Sequence, residues 1–249
     1  MNKIDYKKCI KEEESLIVVM KKKWILRFFV LCLGLYIFSL STQILEVSNR
    51  IMLNKVIIID AGHGGVDGGA VSKSGVCESH INLSIALKVR KLLEQDGAIV
   101  LLTRNQDVGL YTEDGSIRKK KNEDLRNRKK MRDESDADLF VSIHMNSFGD
   151  SKYYGAQTFY PKDSKESKKV SEYIQEELIK VLDKGNTRKA KEKSDVYLLK
   201  ESNIPMVLIE CGFLSNQQEE KLLQDSKYQE KVAWSIYTGI MKYFQQDKI

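Results

Sequence analysis

Four short apolar runs, rich in β-branched residues, constrain this chain more than anything else in it: Val56–Ile59 (VIII), Ala98–Thr103 (AIVLLT), Leu139–His144 (LFVSIH) and Met206–Glu210 (MVLIE). A run with no polar alternation suits a strand buried on both faces. Between the runs the spacing turns helical. Asn82–Leu93 carries Leu83, Ala86, Leu87, Arg90 and Leu93 in helical register, with Gly97 beyond as a stop signal. Helices are also expected at 122–135, at Ser167–Leu182 and at Tyr228–Phe244, the last with Val232, Ile236, Ile240 and Tyr243 on one face. Gly155–Tyr160 and Val196–Leu199 complete the expected strands. Strands separated by helices imply an α/β fold with a mostly parallel or mixed sheet and helices on both faces. The long polar connection Arg104–Leu125 is expected to be a mobile surface loop near the site, its lysines a solvated face.

Composition removes several classes. The chain of 249 residues is 42% hydrophobic with 2 Pro, which excludes a mainly disordered or proline-rich chain. Four Cys without a CxxC pair exclude a disulfide scaffold, a structural zinc finger and thioredoxin-like chemistry. Lys and Arg number 41 against 35 acids, a net charge of +6, which favours an anionic surface or polymer. No stacking-aromatic or helix-turn-helix signature accompanies the lysines, so nucleic acid is not expected as a partner.

Residues 24–45 (WILRFFVLCLGLYIFSLSTQIL) contain one charge, Arg27. A helix of that length rises about 33 Å, enough to cross a hydrocarbon core of about 30 Å. Lys21, Lys22 and Lys23 precede it, so residues 1–23 are expected as a cytoplasmic tail, 24–45 as a transmembrane helix or signal anchor, 46–54 as a linker and 55–249 as a folded domain outside the cytoplasm. Cleavage as a signal peptide is the alternative, with Ser39 and Ser41 as a weak small-x-small site. Met20, just before the lysines, reads as a second candidate translation start.

The chemistry-bearing residues sit at strand ends. Asp60-Ala61-Gly62-His63-Gly64-Gly65 follows the first strand, a glycine-rich loop without the GxGxxG or GK[ST] of a phosphate cradle. His144 ends the third strand in Ser142-Ile143-His144-Met145-Asn146, Glu78 stands at the expected start of the first helix, and Glu210 closes the last strand. An acid directly after four apolar residues is costly to bury unless paired, protonated or coordinated. Parallel strands bring such ends to one edge. Two imidazoles and one carboxylate make a catalytic zinc set, with the second carboxylate as general base. Order in the chain leaves open which Glu does which. Cys77 and Cys211 flank the two acids and are candidates for metal binding or for pairing.

DAGHGGVDGGA, Glu78, SIHMN and ECGFLSN, in that order, resemble the zinc-dependent N-acetylmuramoyl-L-alanine amidases of type 3, from about residue 55 to 246. The resemblance implies a twisted six-stranded sheet surrounded by helices. It also implies one Zn2+ per chain on His63, Glu78 and His144, with Glu210 as catalytic acid/base. Asn146 and Arg128 are expected to contact substrate, and His80 is a departure that is either solvent-facing or a substitute ligand. The expected reaction splits the amide between the lactyl group of N-acetylmuramic acid and the L-alanine of the peptidoglycan stem. Tyr197-Leu198-Leu199-Lys200, Ile204-Pro205 and Tyr228–Trp234 resemble the sporulation branch, which prepares spore cortex for muramic-δ-lactam formation. That branch implies a lipoprotein activator and a peptidoglycan deacetylase in the same pathway. A vegetative autolysin and a different zinc peptidase are the alternatives.

Overall fold

The computed structural model describes residues 23, 24, 26–39, 52–112 and 114–246. The chain divides into two units, Met1–Arg50 and Ile51–Ile249. In the first, residues 23, 24 and 26–39 are helical. Among the described residues no helix is long and apolar enough to cross a membrane. Of the expected span, residues 25 and 40–45 lie outside the described ones, as do Met20 and the expected tail up to residue 22.

The second unit holds six strands, β1 (Val56–Ala61), β2 (Ile99–Leu102), β3 (Leu139–Asn146), β4 (Gln157–Tyr160), β5 (Lys191–Glu192) and β6 (Met206–Phe213). Five helices join or follow them: α1 (Glu78–Gln95), α2 (Ile117–Asp133), α3 (Lys165–Leu182), α4 (Gln217–Gln224) and α5 (Ser226–Gln246). The strands form one sheet in the order β2-β1-β3-β6-β4-β5. β1 runs parallel to β2 and β3, β3 parallel to β6, and β4 antiparallel to β6 with β5 parallel to it. The sheet is therefore mixed.

Three of the apolar runs became the central strands β1, β3 and β6, whose faces are both covered. The fourth became β2 at the edge of the sheet, with Ile99 exposed and Val100, Leu101 and Leu102 only half-buried, so the expected burial on both faces does not hold there. Ile57, Ile58, Ile59 and Ala61 are each 0% exposed. One face carries Ile57, Ile59, Val141, Ile143, Val207 and Ile209 against α1, α3 and α5. The other carries Ile58, Phe140, Met206, Leu208 and Phe159 with Leu199. Above that second face lies α2, which reads as a charged surface helix yet buries two arginines, Arg128 and Arg132, each 1% exposed. Arg132 donates to the carbonyls of Leu198, Lys200 and Glu201 at 2.6, 3.1 and 2.9 Å.

Two expected elements differ. Val196–Leu199 is not a strand: Tyr197–Leu199 is a single turn of 3-10 helix, and its carbonyls are held by Arg132 rather than by a sheet neighbour. The edge strand is instead Lys191–Glu192, two exposed charged residues whose pairing with Phe159 and Tyr160 is a backbone matter that no apolar run announces. The 104–125 connection is also shorter as a loop than expected, because Ser116 caps α2 by accepting from the Lys119 amide.

The register sets the site. His144 lies beside Glu210, Ser142 beside Asp60 and Ala61 beside Ile143, so β1, β3 and β6 bring these residues abreast toward one edge. Neither His144 nor Glu210 ends its strand as expected, since β3 runs on to Asn146 and β6 to Phe213.

Candidate metal centre

Beyond β1 the chain must turn sharply while keeping its carbonyls bonded. His63 adopts φ +62, a left-handed conformation uncommon for a bulky residue and retained only where neighbours over-determine it. Those neighbours are two buried arginines. Arg128 donates to Ala61 O at 2.8 Å and His63 O at 2.7 Å. Arg104 donates to Ala61 O, Gly62 O and Ser79 O at 2.9, 3.0 and 2.7 Å. The same Arg128 pairs with Asp60 and Asp124, each at 2.6 Å. Asp60 also accepts from Ser142 and Thr103 at 2.6 and 2.9 Å. Burial pushes the Asp60 carboxyl up, but Arg128 and Ser142 together hold it below its usual range.

Glycines make the approach of the ligands sterically allowed. A Cβ on Gly62 would fall 2.3 Å from His144 Cε1, so the imidazole lies directly over that backbone. Gly69 has φ +69, and a Cβ there would fall 2.6 Å from Glu78 Oε2.

One donor atom each from His63, Glu78 and His144 lies within 4.8 Å of the others. Glu78 opens α1 and is 3% exposed. Its Oε1 lies 2.9 Å from His144 Nδ1 and accepts from the Met145 amide at 2.9 Å. Its Oε2 lies 3.3 Å from His63 Nε2 and accepts from the Ala70 amide at 2.8 Å. Asp67 takes the other nitrogen, His63 Nδ1, at 2.8 Å, the outer contact that typically fixes the ring of a metal-binding histidine. Asp67 is in turn 2.7 Å from Lys121, so one lysine of the basic segment serves the loop rather than solvent.

Burial alone would lower the His63 pKa, but its bonds to Asp67 and Glu78 raise it to about 9. Burial likewise opposes ionisation of Glu78, yet the two imidazoles hold it well below the usual carboxylate range. Asp67 is held low by His63 and Lys121 against its own burial. Two imidazoles and an ionised carboxylate form a borderline-soft N/O set that fits a divalent metal, and their present mutual contacts are those that such an ion would replace.

Glu210 is treated differently. Its Oε2 is buried and has no hydrogen-bond partner among the described residues. Burial raises its pKa and the Glu78 carboxylate adds to the rise, while His144, Lys193 and His63 pull against them.

The remaining expected residues separate. Asn146 lies on the rim after His144; its Oδ1 accepts from Ser147 N at 2.8 Å, and its Nδ2 has no partner among the described residues. Arg128 does not reach outward to substrate, because its guanidinium is spent on Asp60, Asp124 and loop carbonyls. His80 stays outside the cluster with its side chain 64% exposed, at 3.1 Å from Asp107. Cys77 and Cys211 are both free thiols, and burial pushes the Cys211 thiol up, away from thiolate chemistry. Asp60, Arg104 and Asn82, which donates to Glu78 Oε1 at 3.2 Å and Gly62 O at 3.1 Å, were not foreseen. Only Asp60 carried a signal, as an acid ending an apolar strand.

Residues 57–242 match the family model for N-acetylmuramoyl-L-alanine amidase, Amidase_3. The chain is 45% identical over 193 residues to the germination-specific N-acetylmuramoyl-L-alanine amidase of Bacillus subtilis, covering 77% of this chain and 81% of that one. It is similar to a solved structure of the CwlD amidase from Clostridioides difficile in complex with the GerS lipoprotein. There the identity is 57% and the TM-score 0.77, with 78% of this chain and 100% of that one covered. An N-acetylmuramoyl-L-alanine amidase from Clostridium difficile 630 superposes with a TM-score of 0.68 at 32% identity, over 77% and 97% of the two chains.

Proposed function

The chain belongs to the N-acetylmuramoyl-L-alanine amidase family, and from that premise we propose that it is a zinc enzyme of the spore cortex with His63, Glu78 and His144 as ligands and Glu210 as proton carrier. It is an amidase: the bond cleaved joins the lactyl group of N-acetylmuramic acid to the L-alanine of the stem peptide. The observation that carries the site assignment is the three-donor cluster with the unpartnered Glu210 carboxylate abreast of His144.

A divalent ion on those three side chains would polarise the scissile carbonyl and make water a better nucleophile near neutral pH. The residues of the chain do the rest. Glu210 accepts a proton as water adds to the carbonyl carbon. The C–N bond breaks, and the same carboxyl returns the proton to the departing alanine nitrogen. A carboxylate held above its usual pKa by burial is suited to both halves of that exchange. His63, Glu78 and His144 hold the ion, Asp67 orients His63, and Asn146 offers its free amide to substrate.

The cortex assignment rests on the likeness to the germination-specific enzyme. Release of the stem leaves an unsubstituted lactyl carboxyl, which a muramic-δ-lactam requires once a deacetylase has freed the sugar nitrogen. A lipoprotein partner is proposed by analogy with the CwlD complex. Residues 24–45 are proposed as the membrane anchor that holds the catalytic unit outside the cytoplasm. Mass spectrometry of cortex-type peptidoglycan treated with the protein, with and without zinc, tests the function. New L-alanine amino termini and free lactyl groups that vanish on chelation are expected; cleavage only within the stem would make it a peptidase instead.

A further inference from the structure

Glu78 opens α1 and supplies a donor to the metal site, yet the helix it opens has no side-chain cap. Cys77 stands at the N-cap position and makes no capping hydrogen bond, where Ser, Thr, Asp or Asn would ordinarily make one. The orientation of Glu78 therefore depends on the turn that leads into it. Glu78 is braced twice on Ala70, its amide donating to Ala70 O at 2.9 Å and its Oε2 accepting from Ala70 N at 2.8 Å. Ser79 N donates to Gly68 O at 3.1 Å, and Val71 forms a β-bridge with Cys77. The far end of the turn is closed by the Ser72 amide donating to Val76 O and the Val76 amide donating to Ser72 Oγ, each at 3.0 Å.

That far end is tied to a distant helix. Ser74 donates its hydroxyl to Glu220 Oε1 on α4, 146 residues along the chain, and lies 3.2 Å from Ser72 Oγ. Glu220 is only 7% exposed, and the Ser74 and Ser72 hydroxyls hold its carboxyl below its ordinary value. α4 is itself fixed. Asn216 caps it by accepting from the Gln218 and Glu219 amides at 3.0 and 3.2 Å. Glu219 accepts from the amides of Phe213 and Gly155 at 2.8 and 3.0 Å. Two consecutive acids of one short helix thus hold two parts of the site, Glu219 the end of the strand that carries Glu210 and Glu220 the turn that carries Glu78.

We propose that Glu220, acting through Ser74, is a positioning residue for the metal centre: it holds the 68–77 turn so that Glu78 is already set for a divalent ion. This rests on the metal site assigned above. A ligand whose supporting bonds are made in advance gives up less freedom on binding, so the tether raises affinity without touching the ion.

Zinc affinity of the full chain, read by competition with a chelator, tests this. Glu220→Ala is expected to lower it about 3- to 10-fold, the range for a single hydrogen bond. Glu220→Gln keeps an acceptor for the Ser74 hydroxyl and should restore most of the loss. Ser74→Ala, on the exposed turn, should match Glu220→Ala, and the double variant should be no weaker than either alone, because both changes cut the same bond. Urea unfolding of the chelated proteins supplies the second reading. Wild-type zinc affinity in Glu220→Ala and Ser74→Ala, with only the unfolding curves shifted, would make the contact structural and overturn the proposal. Additive losses in the double variant would overturn it too. Should Glu220→Ala fail to fold, Ser74→Ala and Glu220→Gln carry the same test. A wild type that takes up no zinc would instead remove the metal site, and the tether with it.

Discussion

Two acids, the fully buried Asp60 on β1 and the half-buried Glu210 on β6, flank β3 on the same side of the sheet, and the molecule handles them in opposite ways. Asp60, 0% exposed, is met by Arg128, Ser142 and Thr103, and its charge is fully compensated. Glu210, on the strand two places along the sheet, keeps an oxygen with no partner among the described residues. The first arrangement holds a loop in a conformation that His63 would not otherwise keep. The second leaves a proton acceptor in place at a cost in stability. Structure and reactivity thus share one edge of the sheet but not the same carboxylates.

The sharpest way to break that contrast is to neutralise each acid's role in turn. Glu210→Gln is expected to lower the amidase rate by about two to four powers of ten, the usual contribution of a general acid–base, while zinc stays bound. Folded stability should hold or rise, because Glu210 Oε2 makes no hydrogen bond that the amide would lose and the cost of burying a carboxylate there has gone. Rates on purified muropeptide, metal analysis and urea melts measure all three. A loss of stability would mean that Glu210 has a structural partner.

Arg128→Met is the complementary change. Removing one member of a buried pair costs about 3–5 kcal/mol, because Asp60 is left charged with only the Ser142 and Thr103 hydroxyls and no counter-charge. Urea unfolding measures it, and adding Asp60→Leu should return much of the loss. Asp67→Asn is milder. It weakens the outer bond to His63, so zinc affinity is expected to fall about 10- to 100-fold, read by competition with a chelator, with rate at saturating zinc little changed.

Much of this was legible beforehand because strand and ligand signals are local. Strands β1, β2, β3 and β6 appeared where unalternating apolar runs stand, and the run stated its own burial for β1, β3 and β6 but not for β2, which lies half-exposed at the sheet edge. That His63, Glu78 and His144 would come together was legible because they stand at the strand-to-helix junctions and strand ends that a parallel arrangement gathers at one edge. What stayed hidden depends on partners far along the chain. Arg128 looks like any arginine of a charged helix until Asp60, 68 residues away, meets it. Arg104 serves carbonyls of Ala61 and Ser79, and nothing beside it in sequence marks that. β5 exists through backbone pairing alone, and the 3-10 turn at Tyr197–Leu199 mimicked a strand because its apolar side chains are buried for another reason.

The smallest expected effect concerns pH, and it separates His63 from the compensated Asp60 network behind it. With zinc removed, the His63 pKa stands at about 9 against an ordinary 6.5. A raised value means that the protonated imidazole, paired with Asp67 and Glu78, stabilises the fold fully below 6.5 and that this contribution is lost as pH rises through 9. The acids have the opposite sign: Glu78 and Asp67 contribute above their ordinary values of 4.5 and 3.8 and lose that contribution as pH falls. The chelated protein should therefore melt lower as pH goes from 6.5 to 9, by on the order of a few degrees. Zinc needs the neutral imidazole, so its affinity should rise over the same interval. Melting curves with and without zinc are expected to draw apart toward alkaline pH. The same alkaline loss in chelated His63→Asn would place its origin elsewhere in the fold.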